Sequence, residues 1–375
     1  MKLDKNLTLL RLTYFVAFFA DALFTPFIAL YFLSVGLTSK ECGILLSIVP
    51  FATFFGNYFC SFFAKRFRRG LFLLHCLSLF EGIAVLIIGF TSQFCGILVL
   101  LILFSFNNSS YFQIQDAYAA VETKNKGSSF YSVRIFGSLA YACALLLGFF
   151  LIKGLSYKNL FILSSSFFFF DFAMTFFLTS ESNPAIVVRP NENLERTLKS
   201  LPFVFYLVFY VLIYGSLSIG SYVLPIHLKN LGLADNEYSA FNALRVGCEI
   251  VMVLFSARLY KWMRGYRNCL IVASSLFILS SLSVAIFNEP YLIVTTNYMM
   301  RGIGGGLFIV ASVGYVQAWV GDSMLGKALT IVAGSMNVFT GIGNLVSPYL
   351  YDSLSFNALF GILACIQVVG LLFMR

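Results

Sequence analysis

Apolar stretches long enough to cross a lipid bilayer recur along almost the whole chain, separated by short polar connections. A helix needs about 20 apolar residues to span a hydrocarbon layer about 30 Å thick. Because no water is available there, every backbone polar group must bond within its own segment, so each stretch must be a helix. The pattern predicts an all-α membrane protein with twelve transmembrane helices. The predicted spans are 8–34, 40–63, 70–91, 94–121, 130–152, 158–180, 201–228, 237–260, 268–287, 291–320, 325–350 and 354–374.

The composition leaves little scope for a soluble function. Apolar residues make up 59% of the chain and charged residues only 11%, whereas soluble domains carry about 25% charged residues. No Ser-His-Asp, metal-ligand or nucleotide pattern stands out, and the eight cysteines form no C-x-x-C pair. The sequence therefore predicts no enzyme, no cofactor and no metal site. We attribute the net charge of +9 to basic loops rather than to nucleic-acid binding.

The basic residues predict the orientation of the chain in the membrane. With both termini in the cytoplasm, eighteen Lys and Arg residues fall on the inner side and only four on the outer side. Such an excess is typical of cytoplasmic loops. We therefore expect a multi-pass protein of the cell membrane with both ends inside.

The longest connection, 181–200, carries two prolines and mixed charge, and we interpret it as a cytoplasmic linker. It separates an N-terminal six-helix bundle at 1–180 from a C-terminal six-helix bundle at 201–375. Basic turns at 64–70 and 258–267 occupy the same place in each half, which predicts pseudo-symmetry. Two such halves, related by an axis along the membrane normal, are the plan of transporters with a site near mid-depth between them.

A few charged residues lie inside the predicted spans, where each costs about 2.5–3.5 kcal/mol on insertion scales. Asp116 and Arg134 each lie nine residues from Asn125, in the turn between the fourth and fifth spans. Equal arms of a helical hairpin place the two side chains at the same depth. A carboxylate beside a guanidinium suits a solute rich in hydroxyl groups, although the same pair could simply tie the two helices together.

The eighth span carries a second pair, because Arg245 and Glu249 at positions i and i+4 share a helix face. Low dielectric favours the neutral form of Glu249, whereas Arg245 favours its charged form. This balance makes Glu249 a candidate proton carrier, and a static ion pair is the alternative. Arg301, near mid-depth on the tenth span, is a further candidate for proton coupling and an alternative partner for Glu249.

Other residues inside the spans have different interpretations. Asp21 lies beside Pro26, which permits a bend, and we expect it to line the cavity and contact the solute. Glu81 and Asp171 fall on the third and sixth spans, and we expect them to be hydrogen-bonded structural groups. The glycine-rich stretch 302–306 lies inside an apolar span, so it predicts close helix packing or a flexible gating point rather than a phosphate loop.

The segment Asp116-Ala-Tyr, followed by Tyr131-Ser-Val-Arg134-Ile-Phe-Gly-Ser-Leu-Ala-Tyr141, resembles the lactose permease and phenylpropionate permease branch of the major facilitator superfamily. In that branch an acid on the fourth helix precedes an Arg-x-[Phe/Trp]-Gly-[Ser/Cys] stretch on the fifth by the same spacing. The first span and the region that begins at Glu249 resemble it too. The shared motifs of the first span are Tyr14-Phe15, Pro26-Phe27, Leu30-Tyr31, Gly36-Leu37-Thr38 and Gly43-Ile-Leu-Leu-Ser47.

The resemblance implies roles for individual residues. Asp116 and Arg134 would grip hydroxyl groups of the solute, Tyr141 would stack on its ring, and Glu249 would join solute contact or proton coupling. The chain also departs from the branch. Arg301 and Ile309 stand where two histidines often occur on the tenth span, and Lys65 replaces the usual acid of the loop between the second and third spans.

We therefore predict a secondary transporter that moves a small polar, sugar- or nucleoside-like solute by alternating access, coupled to proton symport. Its expected partners are the solute, the proton and the lipid bilayer, and we expect a monomer. One alternative is an exporter or facilitator of sugars or of amphipathic and aromatic compounds. Another is a sensor or membrane-embedded enzyme that keeps the fold without transport.

Overall fold

The computed structural model describes residues 4–63, 70–179, 200–320 and 322–374. Lys65 and almost all of the predicted linker 181–200 lie outside these ranges. All regular secondary structure in the described residues is helical, which confirms the predicted all-α class. In chain order the helices are α1 (Lys5–Ala22), a 3₁₀ turn (Thr25–Phe27), α2 (Ile28–Ser34), α3 (Ser39–Phe63), α4 (Gly70–Gly89), α5 (Phe94–Asn125), α6 (Tyr131–Leu151), α7 (Tyr157–Thr175), α8 (Leu201–Tyr210), a π-helical turn (Val211–Gly215), α9 (Ser216–Asn230), α10 (Asp235–Trp262), α11 (Tyr266–Ile286), α12 (Pro290–Val320), α13 (Asp322–Ser353) and α14 (Phe356–Leu371).

These helices form twelve segments at the twelve predicted places. Among the described residues, ten segments are long and apolar enough to cross a membrane. The other two are α7, with 19 residues, and α14, with 16 residues, which occupy the predicted sixth and twelfth spans. Large apolar side chains such as Phe55, Phe150 and Phe177 are mostly exposed. In a bilayer such side chains face lipid, which removes their unfavourable contact with water.

The first segment is interrupted at the position where the sequence predicts a bend. Helix α1 ends at Ala22, and the 3₁₀ turn Thr25–Phe27 contains Pro26 before α2 begins at Ile28. Proline has no backbone N–H and its ring clashes with the preceding helical turn, so a regular helix cannot continue through it without adjustment. The interruption leaves Asp21 in the last turn of α1.

The chain divides into two compact units, Met1–Glu41 with Ile48–Val187, and Cys42–Ser47 with Val188–Arg375. Six of the helical segments begin in each unit. In the first unit α1 packs against α6 and α7, and α4 packs against α5 and α7. In the second unit α12 packs against α10 and α11, and α11 packs against α14.

Each unit has its own aromatic core. The core of the first unit includes Tyr14 and Tyr111, both fully buried. The core of the second unit includes Phe209, Phe277 and Phe308, also fully buried. Aromatic side chains fill large volumes with few rotatable bonds, so they fix the helices around the polar residues that lie among them.

Candidate functional site

The hairpin of α5 and α6 places Asp116 beside Arg134. Helix α5 ends at Asn125 and α6 begins at Tyr131, and between them Gly127 adopts a φ of 63° that glycine tolerates without strain. Arg134 Nε lies 3.9 Å from Asp116 Oδ1. The equal arms predicted from the sequence are therefore present, and the two charges share one depth.

Helix α1 supplies the surroundings of this ion pair. The Tyr14 hydroxyl donates to Asp116 Oδ1 at 2.6 Å. The guanidinium carbon of Arg134 lies 4.4 Å from the centroid of the Phe18 ring, a cation–π contact. The side chains of Arg134 and Asp116 remain 36% and 42% exposed. The carboxylate and the guanidinium fork therefore remain accessible to a small polar molecule.

Gly137 makes room for the arginine. A Cβ atom at Gly137 would lie 2.8 Å from Phe18 and 3.0 Å from Arg134 Nη1, closer than ordinary contacts. Glycine at this position lets Phe18 and the guanidinium occupy the space one helical turn beyond Arg134. Close packing therefore explains why the Arg-x-Phe-Gly motif of this chain has glycine at position 137.

Contacts between α1 and α5 continue from the ion pair toward Asp21. The Phe18 and Phe112 ring centroids are 4.5 Å apart. Asn108 Nδ2 donates to Asp21 Oδ1 at 3.3 Å, and Thr25 Oγ1 donates to the same oxygen at 2.8 Å. Residues spaced by three or four positions share a helix face, so one face of α1 meets one face of α5 through three successive contacts.

We refer to these contacts as the α1–α5 ladder, formed by the pairs Tyr14–Asp116, Phe18–Phe112 and Asp21–Asn108. Asp116 and Asp21 were predicted as separate site residues, and their connection through the contacts between α1 and α5 was not predicted. The signal was available, because the ladder residues of α5 recur every four positions and those of α1 every three or four. Antiparallel helices would bring such rows together.

Tyr141 lies on α6 seven residues after Arg134, so the two residues share a helix face. Its side chain is half-buried. The stacking role expected for Tyr141 stays a prediction.

Two further acids of the first unit are fully buried and hydrogen-bonded to neutral groups. Asn107 Nδ2 donates to Glu81 Oε1 at 2.6 Å. Asp171 Oδ2 accepts from the hydroxyls of Ser78 and Tyr111, both at 2.6 Å. Neither acid forms an ion pair within the described part of the chain.

The second unit contains the Arg245–Glu249 pair predicted on one helix face. Arg245 Nη1 lies 3.4 Å from Glu249 Oε2, and the two side chains are 25% and 28% exposed. Arg245 Nε also donates to Asn242 Oδ1 at 2.8 Å. Two interactions within α10 therefore fix the direction of this guanidinium.

Arg301 is not the partner of Glu249 in this structure. It is 8% exposed and donates through Nη2 to the Ser221 hydroxyl and to the Leu217 carbonyl oxygen, both on α9. No carboxylate lies within ion-pair distance of Arg301 among the described residues. The sequence could not indicate Ser221, which lies 80 positions away and belongs to another helix.

The glycine-rich stretch 302–306 brings α12 against α10, and this confirms the packing interpretation. A Cβ atom at Gly302 would collide with the Arg245 carbonyl oxygen, and one at Gly306 would lie 2.5 Å from the Glu249 carbonyl oxygen. Only glycine permits so close an approach of two helix backbones. The charged side chains of α10 are thus held beside Arg301.

Three tyrosines surround the charges of the second unit. Tyr214, Tyr238 and Tyr298 all lie within electrostatic range of Arg301. The Tyr238 and Tyr298 ring centroids are 6.3 Å apart. Tyr214 belongs to the π-helical turn Val211–Gly215, an irregularity frequent at functional sites. The hydropathy pattern predicted a regular seventh span and did not reveal this turn.

Other polar or concave regions are less suited to a polar solute. A cavity of about 200 Å³ in the second unit is lined mainly by apolar and aromatic side chains, including Tyr206, Tyr315 and Trp319, and by no charged residue. Within the described ranges, no three His, Cys, Asp or Glu residues come together in a way that could hold a metal ion. The charged groups described above are therefore the candidate functional site.

Comparison with known proteins shows which folds this chain shares. It is similar to a mutant form of the nucleoside transporter NupG, with a TM-score of 0.85, 13% identity and 99% of each chain covered. It is also similar to another structure of NupG, with a TM-score of 0.81, 14% identity, and 99% of this chain and 98% of that chain covered. An auto-inhibited peptide transporter of the POT family has a TM-score of 0.77 and 11% identity, with 99% and 96% covered.

At these identities the likeness is one of fold. A search of curated protein sequences gives no match. The sequence model of the MFS_1 like family, however, matches residues 7–362, which is nearly the whole chain. The protein therefore belongs to the MFS_1 like family and has the fold of major facilitator transporters.

Proposed function

We propose that the protein is a secondary transporter for a small polar organic solute, sugar- or nucleoside-like, which it carries by alternating access together with a proton. The single observation that carries this proposal is the accessible Asp116–Arg134 pair, half-exposed among buried aromatic side chains. Membership of the family supports transport as the general activity. The named neighbours, a nucleoside transporter and a peptide transporter, support a small polar solute.

The solute would bind to the first unit through complementary hydrogen bonds. Asp116 accepts hydrogen bonds from hydroxyl groups, and the Arg134 fork donates to hydroxyl or carbonyl oxygens. In this proposal Tyr141 stacks on a ring of the solute, and Asp21 at the far end of the α1–α5 ladder offers a further acceptor. In this proposal a solute replaces water around the pair without breaking it.

Proton coupling is assigned to Glu249, with Arg245 and Arg301 as the charges that respond to it. Protonation of Glu249 would weaken its contact with Arg245, which is 3.4 Å long in this structure. A proton that moves inward gains about 2.3 kcal/mol per 100 mV of membrane potential. That energy corresponds to about fiftyfold accumulation if one proton accompanies each solute.

The proposal is tested by uptake into proteoliposomes, using labelled sugars and nucleosides with and without an inward proton gradient. We expect the double variant Asp116→Asn with Arg134→Gln to lose uptake by about two orders of magnitude, because charge-assisted hydrogen bonds are each worth about 1.5–3 kcal/mol. The matched control is Asp4→Asn with Lys126→Gln, which removes another ion pair of the same unit, 3.2 Å long. A static tie between helices would leave uptake intact in both double variants.

Coupling is tested in the same vesicles. Wild-type uptake should rise with the proton gradient, and Glu249→Gln should make uptake independent of that gradient. Uptake that ignores both the gradient and this substitution would contradict the assignment of proton symport. Transport of the solute without a proton would then be the remaining mechanism.

Export of amphipathic or aromatic compounds is the second candidate. The aromatic side chains beside Arg134, above all Phe18 with Phe112 behind it, favour this alternative. The direction of net flux in cells with and without the protein distinguishes the two. Slower accumulation of an aromatic compound in cells that express the protein would support export.

We also propose that the protein lies in the cytoplasmic membrane with both termini inside. The support is the eighteen-to-four distribution of basic residues. Reporter fusions at the two ends measure the orientation directly. A periplasmic or extracellular signal from either fusion would contradict it.

A further inference from the structure

Arg301 is a buried cation with no carboxylate of the described residues within ion-pair distance. The residue is only 8% exposed, and one nitrogen, Nη2, donates to Ser221 and to Leu217. Its Nε and Nη1 atoms make no hydrogen bond or ion pair with any described residue. A guanidinium has five N–H donors in a planar fork, so most of its binding capacity is unused.

The charged neighbours of Arg301 leave an excess of positive charge around it. Arg245 lies close enough to repel the Arg301 charge. The nearby carboxylate of Glu249 is in contact with Arg245. Two cations and one anion therefore share this part of the second unit. An uncompensated charge is strongly unfavourable in a low-dielectric interior, and an anion supplied from outside would relieve it.

The surrounding groups suit an anion of small size. Tyr214, Tyr238 and Tyr298 lie around Arg301, and phenolic hydroxyls can donate to an oxyanion. Arginine binds carboxylate and phosphate groups through two parallel hydrogen bonds. Gly302 keeps α12 against α10, which brings the backbone of Arg245 beside the residue that follows Arg301.

We propose that Arg301 and Arg245 form an anion subsite in the second unit, which binds a carboxylate or phosphate group carried by the solute. This proposal rests on the proposed transport function and narrows its substrate class to hydroxylated organic anions. The solute anion replaces Glu249 as the partner of Arg245. Protonation of Glu249 releases Arg245, so the proton and the anion bind cooperatively.

Several groups besides Glu249 face this subsite. They are Arg245 and Tyr238 on α10, Arg301 and Tyr298 on α12, and Tyr214 in the π-helical turn. The tyrosines stay neutral below about pH 8 because phenols ionise near pH 10. The carboxyl group of Glu249, in contact with Arg245, is therefore the group expected to link proton binding to anion binding.

The test compares matched ligands that differ by one carboxylate. Purified full-length protein in lipid-free detergent is titrated with uridine and orotidine, and with glucose and glucuronate. We expect the anionic member of at least one pair to bind about tenfold or more tightly than the neutral member, the ratio for one charge-assisted interaction. Both carboxylates are ionised at neutral pH, where the titrations are made.

Two variants assign the effect to the subsite. Arg301→Gln should remove the preference for the anion, whereas Arg258→Gln, an exposed arginine on α10, should retain it. Glu249→Gln, which imitates the protonated carboxyl group and weakens the hold on Arg245, should strengthen the preference for the anion. If Arg301→Gln fails to fold, Arg301→Lys keeps the charge without the fork and should bind the anion more weakly than the wild type.

Equal affinity for the charged and neutral members of both pairs would overturn the proposal, and so would an anion preference that survives Arg301→Gln. Inorganic phosphate and phosphatidylglycerol serve as further probes. Phosphatidylglycerol that binds in place of the free anions, and needs Arg301, would show a lipid site and would also overturn it. Proton-driven uptake that ignores the carboxylate would overturn the subsite while leaving the proposed transport function standing.

Discussion

The two units place opposite charges in the membrane. In the first unit, Glu81 and Asp171 are fully buried and hydrogen-bonded by neutral donors, and Asp116 alone is paired with an arginine. In the second unit, Arg245 and Arg301 lie with Glu249 where α10 and α12 pack together. Six-helix units of one fold can therefore carry contrasting polar interiors. Carboxyl groups are prominent in the first and guanidinium groups in the second.

The strongest test of this contrast is to remove the carboxylate of the second unit. Glu249→Gln should lower the free energy of unfolding by about 3 kcal/mol, because it removes the carboxylate that contacts Arg245 next to Arg301. Adding Arg301→Gln should restore part of that loss. Chemical unfolding in detergent measures both. Equal instability of the single and double variants would show that the two arginines do not interact.

The close contact between α10 and α12 gives the next largest effect. Gly306→Ala should lower the free energy of unfolding by about 2 kcal/mol, since the new Cβ atom would meet the Glu249 carbonyl oxygen at 2.5 Å. Gly247→Ala on α10 is the matched control. No atom lies within 4 Å of the added methyl group there, so it should stabilise by about 0.5–1 kcal/mol. If both substitutions destabilise the protein, this region does not tolerate an added methyl group at either position, and the close contact at Gly306 is not the cause.

The first unit should tolerate the loss of a carboxylate much better. Glu81→Gln keeps the oxygen that accepts from Asn107, so the free energy of unfolding should change by about 1 kcal/mol or less. Glu81→Ala removes the acceptor, leaves Asn107 with only its hydrogen bond to the Leu77 carbonyl oxygen, and should lower the free energy of unfolding by about 2–3 kcal/mol. Similar losses in the two variants would mean that the charge of Glu81 itself stabilises the first unit, and the contrast with Glu249 would disappear.

The smallest effect is expected at the exposed start of α1. The backbone N–H of Leu7 and the ammonium of Lys126 donate to Asp4 and lower the pKa of its carboxyl group. The lowered pKa means that the ionised form stabilises the fold above about pH 4, and that this contribution is lost as the pH falls through the pKa of the folded state.

Asp4→Asn should therefore lower the melting temperature slightly at neutral pH and leave it unchanged near pH 3. Asparagine also caps helices well, so the substitution removes the charge and keeps the cap. Thermal unfolding in detergent across this range provides the measurement. A difference that persists at low pH would assign the effect to the cap rather than to the charge.

Much of the fold could be predicted from the sequence because the bilayer imposes it locally. Length and hydropathy placed every segment within a few residues, and Pro26 indicated the interruption of the first one. The pairing of Asp116 with Arg134 could also be predicted from the sequence, because it is local. Both residues belong to one hairpin, so counting along the chain from Asn125 fixes their relative depth.

Contacts between helices far apart in sequence could not be found in that way. Ser221 meets Arg301 across 80 residues, and Tyr14 meets Asp116 across 102 residues. Spacing along a helix, as in the α1–α5 ladder, indicates which residues share a face but not which distant helix that face meets. The π-helical turn at Tyr214 was also invisible, because one additional residue in a helical turn changes the hydropathy of the segment very little.

The glycines of α12 have a mechanical consequence. Two backbones in direct contact cannot slide past each other without opening a void, so we expect α10 and α12 to move as one rigid body during the transport cycle. Within the second unit, we expect motion at other contacts of this pair, such as the one between Arg301 and α9. Spin labels on α9, α10 and α12 would show this as a constant α10–α12 distance and a changing α9–α12 distance.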